Sequence, residues 1–289
     1  MRALLTGGSS PLGAGVLRCL LADSAYAEIW CSVHRRDIPL SHPKLRRIEL
    51  RLDGEISLEE IPAPLDAVVH FAAVTHSRDE QVYWDVNYHG TMRLARSARE
   101  RGCRRFVFVS TRCATEGSGA YGESKLAAEK GLLEMDWDNL LILRPAEIYG
   151  GSRGEGIDGF LRMADRLGVV PLLWGHKELR FAPIRADDFI AAACALIGEQ
   201  RHGVHMLDVC GPENLSGAEL ALRIARSRHA VPIPMWWPAL ALALHAIRFF
   251  GLQPVTRDQI ARLTGRKTKS HSTADPVLKR PMARFLSNT

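Results

Sequence analysis

The chain has 289 residues, 46% of them hydrophobic and 24% charged, with a formal net charge of +6. That length suits one large domain or a domain with a smaller lobe, and the composition excludes disordered and collagen-like classes. Six scattered cysteines form no Cys-x-x-Cys pair and no His cluster has ligand spacing, so we expect reduced thiols in a cytoplasmic protein, with neither disulfides nor a metal site.

Residues 3–6 read as a short buried strand that runs into Gly7-Gly8-Ser9-Ser10-Pro11-Leu12-Gly13, and a helix is expected over 11–22. The glycines follow after three apolar residues, so this opening lacks the pattern of a secretory signal and export is not expected. A glycine turn between strand and helix aims backbone N–H groups at a ligand and makes a pyrophosphate seat without a charged side chain.

Further strands are expected at 27–33, 45–50, 67–71, 106–110 and 140–143, with helices over 79–101 and 121–135 between them. This rhythm implies an α/β fold: a Rossmann-type, doubly wound parallel sheet with helices on both faces and ligands at the carboxyl ends of the strands. The second strand ends in Ser32-Val33-His34-Arg35-Arg36, with Asp37 late. An arginine there accommodates the 2′-phosphate of NADP, whereas an acid binds the ribose of NAD; Arg35 favours NADP and leaves NAD open.

Tyr121 precedes Lys125 by one helical turn in Ala-Tyr-Gly-Glu-Ser-Lys, so phenol and ammonium share a face. A nearby cation favours the phenolate, and the pair suits proton transfer to or from a hydroxyl beside a nicotinamide.

After Tyr149 the rhythm changes: Gly150, Gly151, Gly154, Gly156 and Gly159 lead into a helix expected to end near Leu167. A dinucleotide-binding domain over 1–150 and a smaller, interleaved substrate lobe over 151–289 follow, with 181–184 and 204–209 expected to pair with the main sheet. Residues 236–250 form the most apolar stretch, but Pro238, His245 and Arg248 interrupt it and it falls short of the roughly 20 residues that span a bilayer. We expect a helix packed into the second lobe and no membrane association. Seven Lys or Arg stand against one acid between 262 and 284, without interleaved aromatics, which reads as a solvated tail or an attraction for small anionic ligands such as nucleotides, and not a nucleic-acid surface.

These motifs, in this order, resemble the extended short-chain dehydrogenase/reductase family, in its NAD(P)-dependent nucleotide-sugar epimerase/dehydratase group. Also similar are Asp66-Ala-Val-Val-His70-Phe-Ala-Ala73, Asn87-Tyr-His-Gly90-Thr91, Phe108-Val-Ser110-Thr111, Leu143-Arg-Pro-Ala-Glu-Ile-Tyr149-Gly150, Arg180-Phe-Ala-Pro-Ile-Arg-Ala-Asp187-Asp188 and Gly211-Pro-Glu-Asn-Leu-Ser216. The resemblance implies Tyr121 as acid/base, Lys125 on the nicotinamide ribose, and Thr111 on the reacting oxygen, with Ser110 the other candidate for that hydroxyl.

By the same resemblance Gly7, Ser10, Pro11, Leu12, Gly13, Phe71, Ala72, Ala73 and Pro145 line the cofactor, Asp53 meets the adenine, and Arg180 grips the substrate diphosphate. A nucleoside-diphosphate sugar substrate and a possible homodimer through the helices at 79–101 and 121–135 are likewise implied. Ser10 replaces the middle glycine of the family's turn, where its side chain crowds the phosphate approach unless the hydroxyl donates. Arg112 and Cys113 stand where sugar dehydratases carry Asp-Glu, which disfavours water elimination.

Overall fold

The computed structural model describes residues 1–34, 36–38, 40–151, 156–174, 180–199, 201–236, 267, 277–278 and 280–286. The chain opens with β1 (Arg2–Thr6), α1 (Pro11–Ala22), β2 (Glu28–Val33), β3 (Leu45–Glu49) and β4 (Ala67–His70). Then come α2 (Gln81–Tyr83), a π-helical segment (Trp84–Gly90), α3 (Thr91–Glu100), β5 (Arg105–Val109), α4 (Gly119–Leu133), β6 (Asn139–Pro145) and β7 (Ile148–Tyr149). The remainder comprises α5 (Ile157–Leu167), β8 (Val169–Trp174), β9 (Arg180–Phe181), β10 (Ile184–Arg185), α6 (Ala186–Gly198), β11 (Gly203–Val209), β12 (Leu215–Ser216), α7 (Gly217–Arg228) and β13 (Val231–Trp236).

Seven parallel strands form the central sheet in the order β11-β6-β5-β4-β1-β2-β3. The chain winds outward from β1 to β3 and then returns to β4 on the other side of β1, so a crevice opens above the ends of β1 and β4. Strand side chains alternate between two cores. Ala67, Val69, Val107, Leu141 and Leu143 pack beneath α1 and α6. Val68, Phe106, Phe108, Leu140 and Ile142 pack on the opposite face with Leu94 of α3 and Ala128 and Leu132 of α4. The near-continuous apolar runs thus have their physical reason, since both sheet faces are covered.

Helix α1 starts where the sequence signals it, with Ser10 as N-cap accepting from Gly13 N and Pro11 at the first turn. The helix expected over 79–101 runs unbroken over 81–100, and between α2 and α3 its backbone takes a π-helical register that contains Asn87. That turn lets Asn87 bridge to Val74, with Oδ1 accepting from Val74 N at 2.8 Å and Nδ2 donating to Val74 O at 3.0 Å.

Three small two-stranded sheets, β10-β7, β12-β9 and β13-β8, accompany α5 and α7, and Tyr149, Phe181, Ile224 and Phe285 share a core of their own. Of the late strands expected in the main sheet, β11 joins it beside β6 over seven register pairs, as the pattern at 204–209 implies. Segment 181–184 does not: Phe181 pairs antiparallel with Leu215, and Ile184 pairs with Ile148 of β7. Pro183 lies between them and cannot donate to a ladder, so the segment divides into two short strands. The apolar stretch at 237–250 and Arg35 lie outside the described residues. No described helix is long and apolar enough to cross a membrane.

Candidate active site

Gly7 and Gly13 build the turn above β1. Gly7 has φ +79°, and a Cβ there would come within 2.7 Å of Ala72 N. A Cβ on Gly13 would meet Gly7 O at 2.2 Å. Strand end, turn and helix start are therefore packed backbone to backbone, which only glycine permits. Ser10 turns its hydroxyl inward to accept from Gly13 N at 3.1 Å. As an acceptor in that bond it keeps its own hydrogen to donate outward. The cradle fits a dinucleotide pyrophosphate: a helix start bordering the cavity, with the Ser10 hydroxyl as a further donor.

Above the turn lies a cavity of about 410 Å³. Gly7, Ser10, Pro11, Leu12, Phe71, Ala72, Ala73, Thr111, Tyr121, Lys125 and Pro145 line it, together with Ser110. Residues more than a hundred positions apart in sequence thus border one space. Gly13 lies beneath the turn. Asp53 does not reach the cavity lining; it pairs with Arg51 at 3.3 Å in the exposed turn after β3. Arg180 stands off the lining as well, 4.0 Å from Glu219 and half exposed.

Helix α4 carries Tyr121 and Lys125 one turn apart. The ring of Tyr83, fully buried in α2, meets the Tyr121 ring edge-on at 6.0 Å and 72°. Lys125 is only 1% exposed, and burial pulls its ammonium down to about 7, with Glu129 opposing. Thr111 Oγ1 accepts from Cys113 N at 3.2 Å. Ser110 Oγ is buried with no hydrogen-bond partner among the described residues, so either hydroxyl remains a candidate for the reacting oxygen.

A buried polar chain supports these elements. Ala72 N donates to Thr6 Oγ1 at 3.2 Å, Thr6 Oγ1 lies 2.6 Å from His70 Nδ1, and His70 Nε2 lies 2.9 Å from Thr91 Oγ1. Thr91 Oγ1 donates to Asn87 O at 2.7 Å, so it must accept from His70 Nε2–H, and His70 Nδ1 accepts from Thr6. The imidazole is neutral, its basicity pushed down to about 3 by burial and by Lys125.

Thr75, Asp158 and Phe189 also border the cavity and carry no signal in sequence. Asp158 anchors the approach to the second lobe, its carboxylate accepting from Gly150 N at 2.8 Å and Gly151 N at 3.2 Å.

Residues 3–210 match the family described as NAD dependent epimerase/dehydratase. The UDP-glucose 4-epimerase of Vibrio cholerae is 24% identical over 91% of this chain and 85% of its own length. A ceramide reductase of Caulobacter vibrioides is 30% identical over 66% of this chain, and the match takes in 59% of that protein. Among solved structures, MoeE5 in complex with UDP-glucuronic acid and NAD superposes with a TM-score of 0.72 at 20% identity, covering 99% of this chain and 95% of that one. That likeness shows the fold.

Proposed function

Because the chain belongs to the NAD dependent epimerase/dehydratase family, we propose that it is an NAD(P)-dependent epimerase or keto-reductase acting on a nucleoside-diphosphate sugar. One observation carries the reading: a single cavity is lined both by the glycine turn and by Tyr121, Lys125, Thr111 and Ser110. Tyr121 takes a proton from a sugar hydroxyl and returns one when the carbonyl is reduced again. Lys125, while charged, lowers the Tyr121 phenol, and Thr111 or Ser110 hydrogen-bonds the reacting oxygen.

The Leu12 N–H and the Ser10 hydroxyl hold the pyrophosphate over the turn that Gly7 and Gly13 let close, with Pro11, Phe71, Ala72, Ala73 and Pro145 packed beside the dinucleotide. A bound pyridine dinucleotide supplies the hydride acceptor and donor. Arg180 is assigned to the substrate diphosphate and Asp53 to the adenine. NADP over NAD rests on Arg35, and on Asp37 being engaged with Arg47 at 3.0 Å. None of the six cysteines is in a disulfide, which supports a cytoplasmic setting. A homodimer through α3 and α4 fits the exposed Leu133.

A second reading, an NADPH-dependent reductase of a non-nucleotide carbonyl metabolite, is favoured by the likeness to the ceramide reductase. The two are separated by incubating the protein with UDP-glucose and either dinucleotide, or with a keto-lipid and NADPH, and following products by mass spectrometry. Conversion of the sugar nucleotide, lost in Tyr121→Phe with cofactor binding retained, supports the first reading. Conversion of the keto-lipid alone supports the second. Dinucleotide binding without either product would mean a sensor and would overturn both.

A further inference from the structure

Lys125 is a charged side chain in a place that penalises charge. Once it loses its proton it has no field with which to lower the Tyr121 phenol, so something must hold the ammonium if the pair is to act at neutral pH. Among the described residues no carboxylate lies within ion-pair distance of Nζ. Glu129, one turn further along α4, favours the charge from a distance, but its own carboxylate is bound by Arg144 at 2.9 Å. His70, on β4, is a buried neutral ring stacked on Phe108, and Tyr121, also on α4, shares the cavity lining with Lys125.

What does lie at Nζ is an aromatic face. The Phe108 ring centroid is 4.0 Å from Lys125 Nζ. Phe108 is 0% exposed, so no water screens the ammonium from the electron-rich face of the ring. His70, the register partner of Phe108, stacks against it at 5.8 Å and 20°, and its hydrogen bonds to Thr6 and Thr91 hold both rings in place.

We propose that the face of Phe108 holds the Lys125 ammonium by a cation–π contact, which makes Phe108 a positioning residue for the Tyr121–Lys125 pair. The inference rests on the proposed acid/base role of that pair for its meaning, but it is measured without turnover.

The test uses the full chain with 4-fluoro-, trifluoro- and pentafluoro-phenylalanine at position 108, which drain the ring face of electron density while nearly keeping its shape. The titration of Lys125 is followed by NMR of lysine-labelled protein, its signal assigned by loss in Lys125→Arg. The midpoint should fall stepwise with fluorination, by about one pH unit for the pentafluoro ring. Phe108→Trp, with its richer face, should keep or raise it. A midpoint unmoved across the fluorinated series would leave Phe108 a space-filling residue and overturn the proposal, whether or not Phe108→Trp folds. No substrate or cofactor is present, so absence of turnover in the wild type would refute the proposed function and leave this result standing. A static midpoint in an active enzyme would do the reverse.

Discussion

Gly13→Ala adds one methyl group at the point where helix α1 touches the turn above β1. Its carbon would sit 2.2 Å from Gly7 O, 2.8 Å from Gly7 C and 3.0 Å from Ser10 Oγ. The carbonyl cannot simply retreat, because Gly7 is itself backed against Ala72, where a Cβ would find backbone nitrogen at 2.7 Å. Either α1 shifts away from the sheet or the turn opens, and overpacking of this kind costs about 1–3 kcal/mol. The melting temperature should fall by about 2–12 °C, at about 2–4 °C per kcal/mol for a chain of this size. The same movement displaces the N–H groups that seat the pyrophosphate, so dinucleotide affinity measured by calorimetry should fall at least about tenfold, equivalent to about 1.4 kcal/mol. Gly198→Ala is the control: it ends α6 with nothing within 4 Å of its Cβ, so affinity should stay unchanged and the melting temperature should not fall. If Gly13→Ala melts with the wild type and binds cofactor as tightly, the close-packed turn is not what builds the seat.

Tyr121→Phe should lower kcat by about 10²–10⁴, with dinucleotide affinity measured by calorimetry kept within a factor of about two. His70 is buried neutral with its basicity lowered to about 3, so between the unfolded value near 6.5 and about 3 the unfolded chain binds the extra proton. Stability from this residue is therefore complete above about pH 6.5 and falls as pH drops, by up to about 1.4 kcal/mol per unit. Urea midpoints measured from pH 7 to 4 should show that slope, and His70→Gln should flatten it. Glu129→Gln leaves the Arg144 guanidinium without its carboxylate partner, at a site where Glu129 is 1% exposed, and should cost about 3 kcal/mol in urea unfolding. Arg35→Ser should weaken NADP binding about tenfold or more by calorimetry while leaving NAD unchanged.

The parallel sheet was legible because apolar runs bounded by glycine, proline and polar turns are a local property of the chain. Each of the six expected strands appears within a residue or two of its expected ends, as does α4 around Tyr121 and Lys125. The glycine turn was legible for the same reason, since the conformation of Gly7 is a matter of backbone sterics. The π-helical stretch inside the helix at 79–101 was not, because it depends on Asn87 finding Val74 across a loop. Nor was the fate of 181–184, whose apolar residues satisfy any sheet equally well.

By itself, then, the amino-acid order determined which segments become strands and helices, where the phosphate-binding turn sits, and that a phenol and an amine share a helix face. Tertiary structure alone decided that this face meets that turn, that Tyr83 and Phe108 flank Tyr121 and Lys125, and that Thr6, His70 and Thr91 join into one buried chain. The physical reason lies in range. Periodicity and φ/ψ sterics act over a few neighbours and are written in short stretches, whereas these contacts depend on the register of parallel strands and on the crossover from β3 back to β4. Both of those are settled by the packing of the whole sheet.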